Sequence, residues 1–170
     1  MALDAIQQAG LESIGDALVL AFKRELLAQD HRAKGELIDS IAKSVKLTIE
    51  GGELIITMNG YGRYVDLGRK PGAKPVPIGV LTDWVIQKGI ETDISRARGV
   101  AFAIQKTIVR EGIPTLGSLA LNSPKTDFIN LAYESEKDSI DQEMQEILTR
   151  SMVATFDNLV RETQVKFDKQ

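Results

Sequence analysis

Cysteine is absent from the 170 residues, so neither a disulfide framework nor a thiolate metal site is open to this chain. That absence suits a reducing compartment. Histidine is nearly missing too. His31 is the only one, in Asp30-His31-Arg32 with no serine, cysteine or second histidine beside it, which points to a solvated or capping role rather than catalysis or metal binding. Aromatic residues make up 5% of the chain, and Trp84, the single tryptophan, is expected as a core anchor rather than a ligand-stacking platform. No window approaches the roughly 18 uninterrupted apolar residues of a membrane span. The N-terminus, with Asp4 and Glu12 and no leading cations, lacks signal-peptide layout, so a soluble, unexported protein with no membrane partner is expected.

What is present is enough apolar residue, 43%, for one ordinary domain or a compact domain with an appended helix. Net charge is uneven: −3 over residues 1–60, +4 over 61–114 and −4 over 115–170. Either each helix has its own solvated charged face, or the basic middle and acidic ends meet complementary surfaces on neighbouring subunits.

Leu11, Ile14, Leu18, Phe22 and Leu26 recur at spacings of three and four, predicting a helix over 11–28, and Leu37, Ile38 and Ile41 a short one near 34–42. The period then becomes two. Val45, Leu47 and Ile49, the pair Gly51-Gly52, then Leu54, Ile56 and Met58 read as a β-hairpin turning at the glycines, with Ile49 opposite Leu54, Leu47 opposite Ile56 and Val45 opposite Met58. All six apolar residues share one face, which helices, further strands or another subunit must cover. Ile78, Leu81, Trp84 and Val85 predict a helix ended by Gly89. Thr92 or Asp93 caps the next, which turns Ala97, Val100, Ala101, Ile104 and Ile108 inward and stops before Gly112 and Pro114. The connection 113–124 carries Leu116, Leu119 and Leu121 and is too apolar to lie free in water, so it docks on the core or is covered by another chain. From Ser135 to Thr163 a long stripe of Ile140, Met144, Ile147, Leu148, Met152, Phe156, Leu159 and Val160 predicts a last helix that extends beyond a small domain.

The segment 60–77 departs most from ordinary composition. It holds four glycines, three of the five prolines, the tyrosines Tyr61 and Tyr64, and the cations Arg63, Arg69, Lys70 and Lys74, and it reads as a shaped basic loop. A phosphate-cradling loop fails on spacing, since Gly68 and Gly72 enclose three residues rather than four and Pro75 stands where a magnesium-binding hydroxyl belongs. Tyrosines beside cations also suit a single-strand binder, although the chain is acidic and carries no known nucleic-acid motif. Asp66, Asp83, Glu91 and Asp93 leave a paired-carboxylate hydrolase open, with nothing to single out two of them. Asp138, Asp141, Glu143 and Glu146 form a solvated helix face without the turn glycine of a calcium loop.

The hairpin, then Tyr61-Gly62-Arg63-Tyr64-Val65-Asp66-Leu67-Gly68-Arg69-Lys70-Pro71-Gly72, then Leu81-Thr82-Asp83-Trp84-Val85-Ile86-Gln87-Lys88-Gly89-Ile90, resembles the tail-completion or neck proteins of tailed bacteriophages, the head-tail joining minor tail components. Ala101-Phe102-Ala103-Ile104 and Arg110-Glu111-Gly112-Ile113-Pro114 resemble that family's following helix and its exit. The likeness covers roughly 35–115. Beyond it the family often ends soon after an aromatic, whereas this chain has Leu116 and a long acidic helix. The resemblance implies a structural protein with no enzymatic activity, no cofactor and no metal, assembled in the virion, at its neck or the top of the tail, as a homo-oligomeric ring of six or twelve copies, six favoured. Portal, connector or tail proteins would be its neighbours. Tyr61, Arg63, Tyr64, Arg69, Lys70, Lys74, Leu116, Leu119 and Leu121 would then make inter-subunit contacts or line a lumen, where cations touch DNA without reading its sequence. Arg69 and Lys70 are expected to face solvent until a partner arrives. The alternatives are a nucleic-acid-binding module using the basic loop and a small hydrolase.

The expected fold class is therefore α+β: a small antiparallel sheet on the Gly-Gly hairpin at about 44–58, packed by several helices, with a long C-terminal helix. Residues 1–115 form the core domain with the basic loop 60–77, residues 116–134 an extended arm or connection, and residues 135–170 a helical extension.

Overall fold

The computed structural model describes residues 2–31, 35–48, 51–121 and 125–167. Ile49 of the expected hairpin, Lys34 at the expected start of the second helix, and Ser123 and Pro124 of the connection lie outside them. The fold is α+β. Along the chain come α1 (Ala2–Ala28), α2 (Glu36–Asp39), β1 (Ala42–Thr48), β2 (Gly51–Thr57), α3 (Gly62–Leu67), α4 (Ile78–Gln87), α5 (Ile94–Glu111), α6 (Leu116–Ala120) and α7 (Phe128–Phe167). Span 116–134 holds α6 and the first seven residues of α7. The chain divides into two compact units: residues 1–21, 42–57 and 132–170, and residues 22–41 and 58–131.

In the first unit the two strands pair antiparallel with Val45 opposite Leu54, Leu47 opposite Gly52 and Thr48 opposite Gly51. The expected register is therefore corrected. Both glycines belong to β2, and each β1 residue lies four positions from its expected partner. An even slip keeps every side chain on its face, so the period of two that located the hairpin could not fix its register. Val45, Leu47, Leu54 and Ile56 are all half-buried on that face. Helix α1 covers it: a Cβ on Gly15 would stand 2.9 Å from Leu54 and 2.7 Å from Lys43, and one on Gly52 would strike Leu11. Lys43 lays its stem along this face and sends its ammonium to Asp16 at 2.7 Å and Glu12 at 2.6 Å. Small residues also let α7 approach, since a Cβ on Gly10 would overlap Ile147. Ile14, Ala21, Ala132 and Ile147 are the buried apolar residues of this unit. From Thr155 to Gln164 every side chain of α7 is exposed.

The second unit is built on α4 and α5. Leu81 and Val85 on one, Ala97 and Ala101 on the other, form a buried cluster flanked by Val76, Ile78, Ile86, Val100 and Ile104. The alanines permit close packing of the two helices, and Asp93 caps α5 by accepting the Arg96 N–H at 2.9 Å. Trp84 is not the expected anchor. It is 36% exposed, one residue around the helix from the wholly buried Val85. Elsewhere in this unit the buried Phe22 and Phe128 rings meet edge to face with centroids 6.2 Å apart.

Candidate functional site

The segment 60–77 is not wholly a loop. Gly62–Leu67 is the helix α3, seated closely because a Cβ on Gly62 would lie 2.7 Å from the Met58 sulfur and 3.0 Å from Leu37. Immediately after it the chain turns at Gly68 and joins the exit of α5. Arg69 N–H donates to the Ile113 carbonyl at 3.0 Å, Ile113 N–H returns a bond to the Arg69 carbonyl at 2.8 Å, and Gly72 N–H donates to Val109 at 2.7 Å. Glycine is required at both sides of this clasp. Gly68 has φ 72° and ψ −157°, and Gly112 φ 86° and ψ −163°, a region essentially closed to side chains. A Cβ on the first would collide with the Ile113 carbonyl, and on the second with the Arg69 carbonyl. The two stretches, 68–72 and 109–113, are thus one structural feature.

The clasp decides where the expected contact residues go. Arg69 is turned into the fold rather than held in solvent: its guanidinium stands 5.3 Å from the centre of the Tyr64 ring and donates to the Lys74 carbonyl, with Nε buried. The expectation of a free cation is corrected for Arg69 and retained for Lys70, which is exposed, as are Arg63, Tyr61, Tyr64 and Lys74. Desolvation raises the Tyr61 phenol above its ordinary pKa. Leu116 and Leu119 lie on α6 and Leu121 caps its end. All three are exposed, with Leu121 at 81%. Thr115 starts that helix by accepting from the Ser118 N–H at 3.3 Å, and Glu111 accepts from Leu116 N–H at 3.1 Å. Its neighbour Arg110 and that amide hold the Glu111 carboxyl below the usual range.

Three of the four acidic residues that left a hydrolase open bond to the backbone, and the fourth, Asp83, is exposed on α4. Asp66 accepts the Ile129 N–H at 3.0 Å through its carboxylate and the Asp127 N–H at 2.7 Å through its carbonyl, so it caps α7 from 62 residues away in sequence. Asp93 caps α5, and Glu91 accepts the N–H groups of Thr92 and Asp93. Among the described residues no group of three or more His, Cys, Asp or Glu is placed to hold a metal ion, and no helix is long and apolar enough to cross a membrane.

Sequence reasoning passed over the outward row of α5, where Ser95, Arg98, Phe102, Lys106 and Arg110 are all exposed. A groove of about 640 Å³ lies beside it, lined by Ile78, Ser95, Arg98, Gly99, Phe102 and Gln105. The signal was available, because this row is the complement of the inward positions.

His31 forms a small clip. Its Nε2 lies 2.9 Å from the Lys125 carbonyl and 3.2 Å from Gln29 Oε1, while Asp30 pairs with Lys88 at 2.7 Å and Lys125 at 3.5 Å. Lys88's hydrogen bond holds the Asp30 carboxyl below its usual value. Burial lowers the His31 pKa below 6.5, partly opposed by the Lys125 carbonyl. The folded state therefore binds this proton less readily than the unfolded chain does. Stability is full above pH 6.5 and falls as pH drops from 6.5 towards the lowered folded-state value. Melting curves between pH 7.5 and 5.5 should show a decline that is shallower in His31→Gln; equal declines would mean the imidazole is not the group responsible.

Compared with family models, curated proteins and solved structures, the chain matches none of them.

Proposed function

We propose that this chain is a structural protein of a tailed-phage virion, forming a ring in the neck or at the top of the tail and joining head to tail through subunit contacts. The observation that carries the reading is the amount of apolar side chain left outside: Leu116, Leu119 and Leu121 around α6, and Leu148, Met152, Phe156, Leu159 and Val160 along α7. Large apolar side chains left exposed in number mark contact sites. Two different surfaces on one chain join head to tail, and such contacts close into rings when the rotation per subunit permits. The ordered motifs of 60–90 and 101–114 supply the phage assignment through their resemblance to neck proteins, and the clasp links those motifs by bonding residues 69–72 to the end of α5. Lys70 and Lys74, with Arg63, are the cations on this surface for a neighbouring subunit, a portal or tail protein, or DNA in a lumen. The role needs no enzymatic activity and no cofactor.

Electron microscopy and native mass spectrometry of the purified protein test this reading. Rings of six or twelve copies, or a stable complex with a portal or tail protein, are the expected result. A monomer at about 100 μM that is also missing from purified virions would defeat it, since contacts of this kind hold at micromolar concentrations.

A further inference from the structure

On α7, Asp138, Asp141, Met144, Leu148, Met152 and Phe156 follow one another at spacings of three and four, and every one is exposed. They form a single row, acidic at its N-terminal end and apolar for the next three turns. On α5, Arg110, Lys106, Phe102 and Arg98 form an exposed row of matching spacing, read here from the C-terminal end: cations first, then an aromatic beside the 640 Å³ groove. The two rows complement each other when the helices run antiparallel. Asp141 then faces Lys106, Asp138 faces Arg110, and Leu148 and Met152 reach the Phe102 groove, because seven residues separate Asp141 from Leu148 and seven separate Lys106 from Gly99. The antiparallel arrangement also sets opposite ends of the two helix dipoles side by side.

Lys106, Asp138 and Asp141 are open to such a partner, while Arg110 already pairs with Glu111. Among the described residues no carboxylate pairs with Lys106, whose ammonium stands 4.7 Å from the centre of the Phe102 ring, and no cation pairs with Asp138 or Asp141. Net charge supports the match on the larger scale, at +4 for residues 61–114 and −4 for 115–170.

We infer that the row Asp138–Phe156 on α7 of one copy docks along the α5 row and Phe102 groove of a second copy. This deepens the ring reading and rests on it, by naming the two faces that meet. Apolar anchors at helical spacing seat the helix in the groove, and the Asp141–Lys106 pair sets its direction and register.

Sedimentation velocity over a concentration series, on Lys106→Glu, on Asp141→Lys and on the two mixed in equal amounts, tests the contact. Each variant alone should weaken self-association by about tenfold or more, and the mixture should return to within about threefold of the parent, because each variant then offers the other an opposite charge. All should melt close to the parent, since both positions are exposed. Rescue in the mixture requires the pair to form between copies. Parent rings with variants that assemble as the parent does, or a mixture without rescue, would overturn this contact while leaving the ring reading standing. A parent that neither self-associates nor enters virions would end both. Salt-sensitive binding of duplex DNA, lost in Lys106→Glu and unaffected by Asp141→Lys, would assign the α5 face to nucleic acid and overturn the proposal.

Discussion

Gly68→Ala is expected to destabilise the protein by about 3 kcal/mol or more, lowering the melting temperature by roughly 6–12 °C for a chain of this size. Two costs add. The backbone at φ 72° and ψ −157° lies where an L side chain is strained, and the new methyl group would overlap the Ile113 carbonyl, which already accepts from Arg69 N–H. Relief requires the chain to move away from α5, breaking the reciprocal pair and placing Gly72 N–H at risk. Gly72→Ala provides the comparison. Its φ is also positive, at 75°, but a Cβ there meets open space, so it should cost only the backbone strain. Thermal melts of the two variants that coincide would show that the clasp is not rigid.

Phe128→Ala should cost about 3–5 kcal/mol in urea denaturation. Phe128 is fully buried at the first position of α7, and its ring stands at 88° to that of Phe22. Removing it leaves a cavity against Phe22 and loosens the residue beside the amide that Asp66 caps. Phe102→Ala removes the same side chain from a half-exposed position on α5 and should stay within about 0.5 kcal/mol in the isolated protein. Similar losses at the two positions would contradict the burial that distinguishes them.

The periodic elements were legible in the sequence, and their limits show which physics a linear pattern omits. The inward face of α5 was read directly and its cap narrowed to Thr92 or Asp93, since both depend on residues a few positions apart. Helix α1 begins at Ala2, nine residues before the expected start, because Ala5, Ala9 and Gly10 give no apolar stripe, although Gly10 packs against Ile147. Helix α7 begins at Phe128 instead of Ser135, with a cap supplied by Asp66, far away in sequence. Helix α3 was hidden by the glycines and prolines around it. The candidate site was legible as a place and not as a geometry: residues 60–77 stood out by composition, yet the pairing of Arg69 with Ile113 has no local signal. For that reason Arg69 read as a surface cation, while the exposed row of α5 escaped notice.

The first unit is assembled from three separated stretches, 1–21, 42–57 and 132–170, whereas the second is complete by residue 131. On a ribosome, then, the middle of the protein has all its parts while its N-terminal helix still waits for Ile147, the side chain that fills the space over Gly10. The N-terminal helix is therefore expected to close after the middle of the chain, against the usual order. A chain cut short before residue 147 would leave Gly10 without the side chain packed on it, so the first half of α7 is a closing piece of the fold. Only the exposed stretch 155–164 is expected to be free for shortening without undoing what was made at the start.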